Sequence, residues 1–145
     1  MSEYQRILVA VDVYSDYEAV INRAKAIAQS ADKLHLVFVT FPTTYIQPYI
    51  GDLQANYHDT VITTDHKRTF EVGEAFNIPR EQIHTRVGDI ADEVHALAND
   101  IDADLIVVGT HGRSGWKVLL GSTANSILHG VKQDVLAVRV YSDEE

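Results

Sequence analysis

The chain has 145 residues, 46% of them hydrophobic, no cysteine, and 12 Lys and Arg against 21 Asp and Glu, for a formal charge of −9. That length holds one domain with one core, and the composition excludes disulfides, thiolate metal sites and cysteine nucleophiles. The net charge argues against nucleic acid or an anionic membrane as a bulk partner, and with no cysteine and no basic, apolar leader at the N-terminus the chain reads as cytoplasmic.

Four short runs read as strands buried on both faces: Arg6 to Val11, Leu34 to Val39, Asp104 to Val108 and Asp134 to Val140. Each is rich in Val, Ile and Leu without clean alternation, as in a parallel sheet covered by helices. A fifth, Gln82 to Val87, alternates polar and apolar residues and is expected at a sheet edge. Between them run helical patterns. Ser15-Asp16-Tyr17-Glu18 has the spacing of a capping box ahead of Val20, Ala24, Ile27 and Ala28. Asp52 to Phe76 predicts a long, less regular helix carrying Val61, Phe70, Val72 and Phe76, ended before Pro79. Ile90, Val94, Leu97 and Ile101 follow Gly88-Asp89. Ser122-Thr123 can cap a helix with Ile127 and Leu128 that stops at Gly130. Alternating β and α elements imply an α/β fold: a five-stranded parallel sheet with helices on both faces and right-handed crossovers. The domain is expected to span 1–141, followed by an acidic tail at 142–145.

Ligands of such sheets bind outside the carboxyl ends of the strands, near the switch in strand order. The loops after Val11, Val39 and Val108 are therefore the places to look. The last of these, Gly109 to Lys117, is followed by Gly121-Ser122-Thr123, and four of the eight glycines fall here. Glycine lets backbone approach a ligand and turn its N–H groups toward anionic oxygens, and a helix start adds unpaired donors. From Leu105 to Gln133 there is no Asp or Glu, while Arg113, Lys117 and Lys132 are present. That segment is locally +3 and leaves −12 for the rest of the chain, so phosphate binding outweighs a plain βα connection. The spacing matches neither a P-loop nor G-x-G-x-x-G.

These residues resemble the universal stress protein family over essentially the whole chain. The resemblance rests on Ile7 to Asp12, Leu34 to Val39, Gly88-Asp89, Asp104 to Gly112, Leu119 to Ala124 and Asp134 to Val138. Nucleotide-binding members carry G-x-x-G, nine residues, then G-[ST]. Gly109, Gly112, Gly121 and Ser122 match it, with eight residues between Gly112 and Gly121. The resemblance implies a Rossmann-like domain of the adenine nucleotide alpha hydrolase-like type, with strand order 3-2-1-4-5. It also implies ATP or AMP as bound ligand, with Mg²⁺ as a companion ion. Carried over, the site consists of Ala10, Val11 and Val39 at the adenine, Asp12 at the ribose, and Gly109, Gly112 and Arg113 at ribose and phosphates. Gly121, Ser122 and Thr123 would donate to the phosphate tail. A homodimer through the last strand and an unidentified regulatory protein partner are further implications, and the segment from Phe41 to Tyr57 is expected to form a lid or dimer flank.

Each of these residues has a blander role beside the functional one. Asp12 could merely cap its loop, and Ser122 is better explained as a helix cap than as a nucleophile. His111 between glycines is a weak candidate base. The other histidines are scattered without ligand spacing, so no metal site is expected, and His58, Asp59, Asp65 and His66 read as a solvated helix face. The leading expectation is a regulatory nucleotide binder without catalytic residues. A scaffold acting only by protein contacts is the alternative, and a slow ATPase or adenylyl-transferring hydrolase is a third.

Overall fold

The computed structural model describes residues 3–40, 52–110 and 121–140, and for 52–60 and 121–124 the backbone path alone. Its elements run in the order β1 (Ile7–Ala10), α1 (Glu18–Ala28), β2 (Leu34–Thr40), α2 (Asp52–Ala75), β3 (Ile83–Val87), α3 (Ile90–Asp100), β4 (Leu105–Gly109), α4 (Gly121–Leu128) and β5 (Asp134–Val138). All pairings are parallel, and the sheet order is β3-β2-β1-β4-β5. The fold is the α/β architecture expected, in the expected strand order.

Alternation along the strands sorts the apolar side chains into two layers. Ile7, Val9, Leu34, Leu36, Phe38, Leu105 and Val107 pack with α1 and with Val72 of α2 on one face. Leu8, Val37, Val39, Ile106 and Val108 pack with Val94, Leu97 and Ala98 of α3 and Ile127 of α4 on the other. This division follows from right-handed crossovers: the chain steps outward from β1 to β2 to β3, returns past β1, then steps outward the other way. The reversal puts the switch point between β1 and β4.

Four expectations change. Tyr17, not Ser15, precedes α1, and no side chain caps that helix; Ser15 is drawn instead into a turn closed by its N–H on the Asp12 carbonyl. Helix α4 starts at Gly121, so Ser122 and Thr123 lie within its first turn rather than ahead of it. Asp52–Tyr57 belongs to α2 and is helical rather than part of a lid; 41–51 lie outside the described residues. Strand β5 is the second edge, and of its residues only Val138 is buried, since among the described residues no strand pairs with its outer side. The acidic tail also falls outside the described residues.

Candidate functional site

The carboxyl ends of β1, β2 and β4 emerge on one side of the sheet. Ala10 pairs with Val37 on one flank and Val108 on the other, so Val11 leaves the sheet beside the last residues of β2 and beside Gly109. Val11 still donates its N–H to the Val37 carbonyl at 3.1 Å. The chain then turns sharply. The Asp12 carboxylate accepts the Tyr14 N–H at 2.9 Å, and the Asp12 carbonyl accepts the Ser15 N–H at 3.1 Å. An aspartate reaching two residues ahead is the Asx turn that this side chain favours. Asp12 thus does the capping work of the blander role, in the place from which a ligand role would also be served.

Helix α2 fixes that turn from outside. Tyr14 donates its phenolic O–H to Asp65 Oδ1 at 2.5 Å, and Thr40, the last residue of β2, donates its hydroxyl to Asp65 Oδ2 at 2.8 Å. One turn further along, Arg68 Nε donates to the Val13 carbonyl at 3.2 Å, and the guanidinium lies 5.7 Å from the centre of the Tyr17 ring. The Tyr14 ring stands edge-on to Phe38, with centroids 5.8 Å apart at 79°. The Thr40 carbonyl accepts the Gly88 N–H at 2.9 Å. On the β4 side, Thr110 donates its N–H to Val138 and accepts the Val140 N–H on its hydroxyl at 3.1 Å. The exits of β1, β2 and β4 are each held by side-chain hydrogen bonds.

Of the expected site residues, the structure brings Ala10, Val11, Asp12, Val39 and Gly109 to this one end of the sheet. Gly121, Ser122 and Thr123 open α4, and Gly112, Arg113 and His111 lie outside the described residues. Tyr14, Thr40, Asp65, Arg68 and Thr110 escaped the sequence reading. Asp65 corrects it directly: expected on a solvated face, it is only 7% exposed. The spacing Val61, Asp65, Thr69, Val72 would have placed it inward, since residues three and four apart share a helix face; Thr69 is buried too, its hydroxyl returned to the Asp65 carbonyl at 2.7 Å.

The histidines, scattered in sequence, are not all scattered in space. His35 Nδ1 of β2 and His84 Nε2 of β3 are 3.1 Å apart, their ring planes within 11° and centroids 5.3 Å apart. The centroid separation exceeds the N···N distance by about the two ring radii together, so the rings meet edge to edge and share one N–H···N bond. Burial, then His84 and Arg6, pushes His35 down to about 4; burial, then Arg86, lowers His84. Among the described residues no three His, Asp or Glu side chains converge to hold a metal ion. No helix among them is long and apolar enough to cross a membrane.

The "Universal stress protein family" model matches residues 3–139. Universal stress protein A homolog 1 of Coxiella burnetii is 37% identical over 139 residues, which covers 93% of this chain and 96% of the relative. Among solved structures, a universal stress protein in complex with cAMP is 29% identical, with a TM-score of 0.57 and coverage of 95% of this chain and 98% of the other. The universal stress protein UspA from Lactobacillus plantarum superposes with a TM-score of 0.69 at 22% identity, over 96% of this chain and all of the other.

Proposed function

The chain belongs to the universal stress protein family, and from that premise we propose that it is a stress-response regulatory protein that binds an adenine nucleotide, ATP or AMP, beyond the carboxyl ends of β1, β2 and β4. One observation carries the proposal. The acid-free, glycine-bearing segment leaves the sheet at Gly109, beside Val11 and Asp12, at the switch point where sheets of this kind take ligands. The 29% identical relative bound to cAMP supports the ligand class. Val39, Ala10 and Val11 would line the base, and Asp12 would accept from a ribose hydroxyl. Gly109, Gly112 and Arg113 would meet ribose and phosphates, with Gly121, Ser122 and Thr123 at the phosphate tail, where the first turn of α4 presents N–H groups unpaired within the helix. The site would report occupancy through partner choice and through a homodimer formed at the β5 edge, since an open strand edge favours pairing.

Calorimetric titration of the purified chain with ATP and with AMP tests this, saturable binding being expected; no binding at millimolar nucleotide overturns it. Gly121→Val should then weaken binding at least about tenfold, because a branched side chain at the helix start occupies phosphate space and hinders the close approach glycine permits. Unchanged affinity in that variant rejects the phosphate placement. The eight-residue spacing between Gly112 and Gly121 favours one second reading, a scaffold without nucleotide, and the same titration decides between them. Incubating bound ATP with Mg²⁺ and assaying ADP or AMP separates binding from slow hydrolysis.

A further inference from the structure

Asp65 is an expensive residue for its position. It sits in the middle of α2, 7% exposed, and among the described residues forms no ion pair with Lys or Arg. A carboxylate taken out of water is strongly destabilising unless hydrogen bonds replace its hydration. Were its task only to fasten α2 to the sheet, an apolar side chain would serve at least as well, as it does at Val72 on the same face. The two hydroxyls on Asp65 come from the two strand exits that carry candidate ligand residues. Tyr14 lies two residues after Asp12, and Thr40 directly follows Val39.

We propose that Asp65 is a positioning residue of the nucleotide site: it holds Tyr14 so that the Tyr14 amide fixes the Asp12 carboxylate in the orientation that meets the ligand. The connection is continuous, from Asp65 Oδ1 to the Tyr14 O–H at 2.5 Å and from the Tyr14 N–H to Asp12 Oδ1 at 2.9 Å. Between the two bonds the tyrosine has little freedom, because its ring is edge-on to Phe38 and the preceding carbonyl, Val13, is held by Arg68. Through Thr40 the same carboxylate sets the end of β2, so both walls of the site take their position from one helix. Tyr14 is 41% exposed; a surface ring anchored at its far end to a buried acid is a spacer of fixed length, not a core residue. A carboxylate aimed in advance binds with less loss of freedom than one that ligand binding must order.

The inference rests on the nucleotide reading above, and its test separates the two. Affinity for AMP is measured by calorimetry in the wild type, Tyr14→Phe and Asp65→Asn, together with amide hydrogen exchange of the free proteins. Tyr14→Phe keeps the ring and removes only the hydroxyl; Asp65→Asn keeps the volume and removes the charge, so both should fold. Each should weaken AMP binding about 3- to 10-fold, the size of one lost hydrogen bond. Each should also speed exchange at the residue-14 amide while the amides of β1 and β4 keep their protection. Equal affinity in wild type and both variants overturns the inference and leaves nucleotide binding intact. Weaker binding with exchange raised throughout the sheet also overturns it, since the residue would then act by stability alone. Where the wild type binds ATP and not AMP, the same comparison is run with ATP; a wild type that binds neither overturns the nucleotide reading, and the inference falls with it.

Discussion

Gly73, in the last third of α2, shows how tightly single residues are specified away from the site. A Cβ built on it would lie 2.5 Å from Ile83 Cδ1 and 2.7 Å from Ile83 Cγ1. Ile83 is 5% exposed and β-branched, so it has few rotamers in which to retreat. Alanine in a helix interior is ordinarily favoured over glycine by about 1 kcal/mol, whereas overpacking a filled core costs about 1–3 kcal/mol. Gly73→Ala should therefore destabilise by about 1 kcal/mol, and Ile83→Val in the same chain should recover part of that loss by removing Cδ1. Urea unfolding of the two single variants and the double measures the coupling; simple additivity would mean the clash is not what decides. Of this contact only half is legible in sequence. Gly73 reads as a weak point in a helix, and nothing local says that an isoleucine ten residues later lies against it. The same limit hid the Asp65 contacts: a polar residue at an inward helical position is visible from spacing, but its partners, Tyr14 and Thr40, are 51 and 25 residues away.

Whether a motif becomes structure depends on what else claims its residues. The S-x-x-E box at Ser15 and the Gly88-Asp89 turn look like equally good helix starts, yet only the second is built as one. Asp89 has extended backbone and accepts the Asp92 N–H on its carboxylate at 3.0 Å; Ser15 lies in the turn that Asp12 closes and that α2 braces. Asp89→Ala should cost about 1 kcal/mol, the usual loss for a functioning N-cap, while Ser15→Ala should stay within about 0.5 kcal/mol of wild type, as a surface change without a capping role does. Thermal unfolding of both checks the contrast, and a Ser15→Ala loss equal to that of Asp89→Ala would restore the capping box. The strands were readable because their apolar runs answer to a local demand, burial on both faces, and β5 departs from that pattern as an edge strand with no neighbour on its outer side among the described residues. Helix α2 was harder to read: Asp65 and Thr69 interrupt its buried stripe, so its period is faint for the same reason that it can grip the site.

At the scale of the molecule the charge of −9 and the folded sheet respond to acid together. The His35–His84 bond bridges β2 and β3 at the α3 face and needs one donor and one acceptor nitrogen, so a proton on each ring would abolish it. Arg6, at the start of β1, and Arg86, on β3, add positive charge nearby, and Arg86 is offset by Glu93 and Asp100 of α3 at 3.8 and 3.7 Å. His35 titrates at about 4 when folded against 6.5 as an ordinary histidine, and His84 is lowered too. Between those values the unfolded chain binds more protons than the folded one, so stability rises with pH across the window. The contribution is complete above 6.5 and drains away as the pH falls toward 4. For His35 it amounts to about 1–2 kcal/mol once solvent screening of a half-buried ring is allowed for. Urea unfolding at pH 7, 5.5 and 4.5 should show this slope in the wild type and a shallower one in His35→Gln, whose amide does not titrate. Equal slopes would mean that the pair takes its protons as freely folded as unfolded, and the acid sensitivity would then belong to the carboxylates. The pair lies on the side of the sheet opposite the layer that holds α2. A loss of nucleotide binding at pH 5.5 in wild type but not in His35→Gln would therefore reach the site through the sheet as a whole and not through the contacts of Asp65.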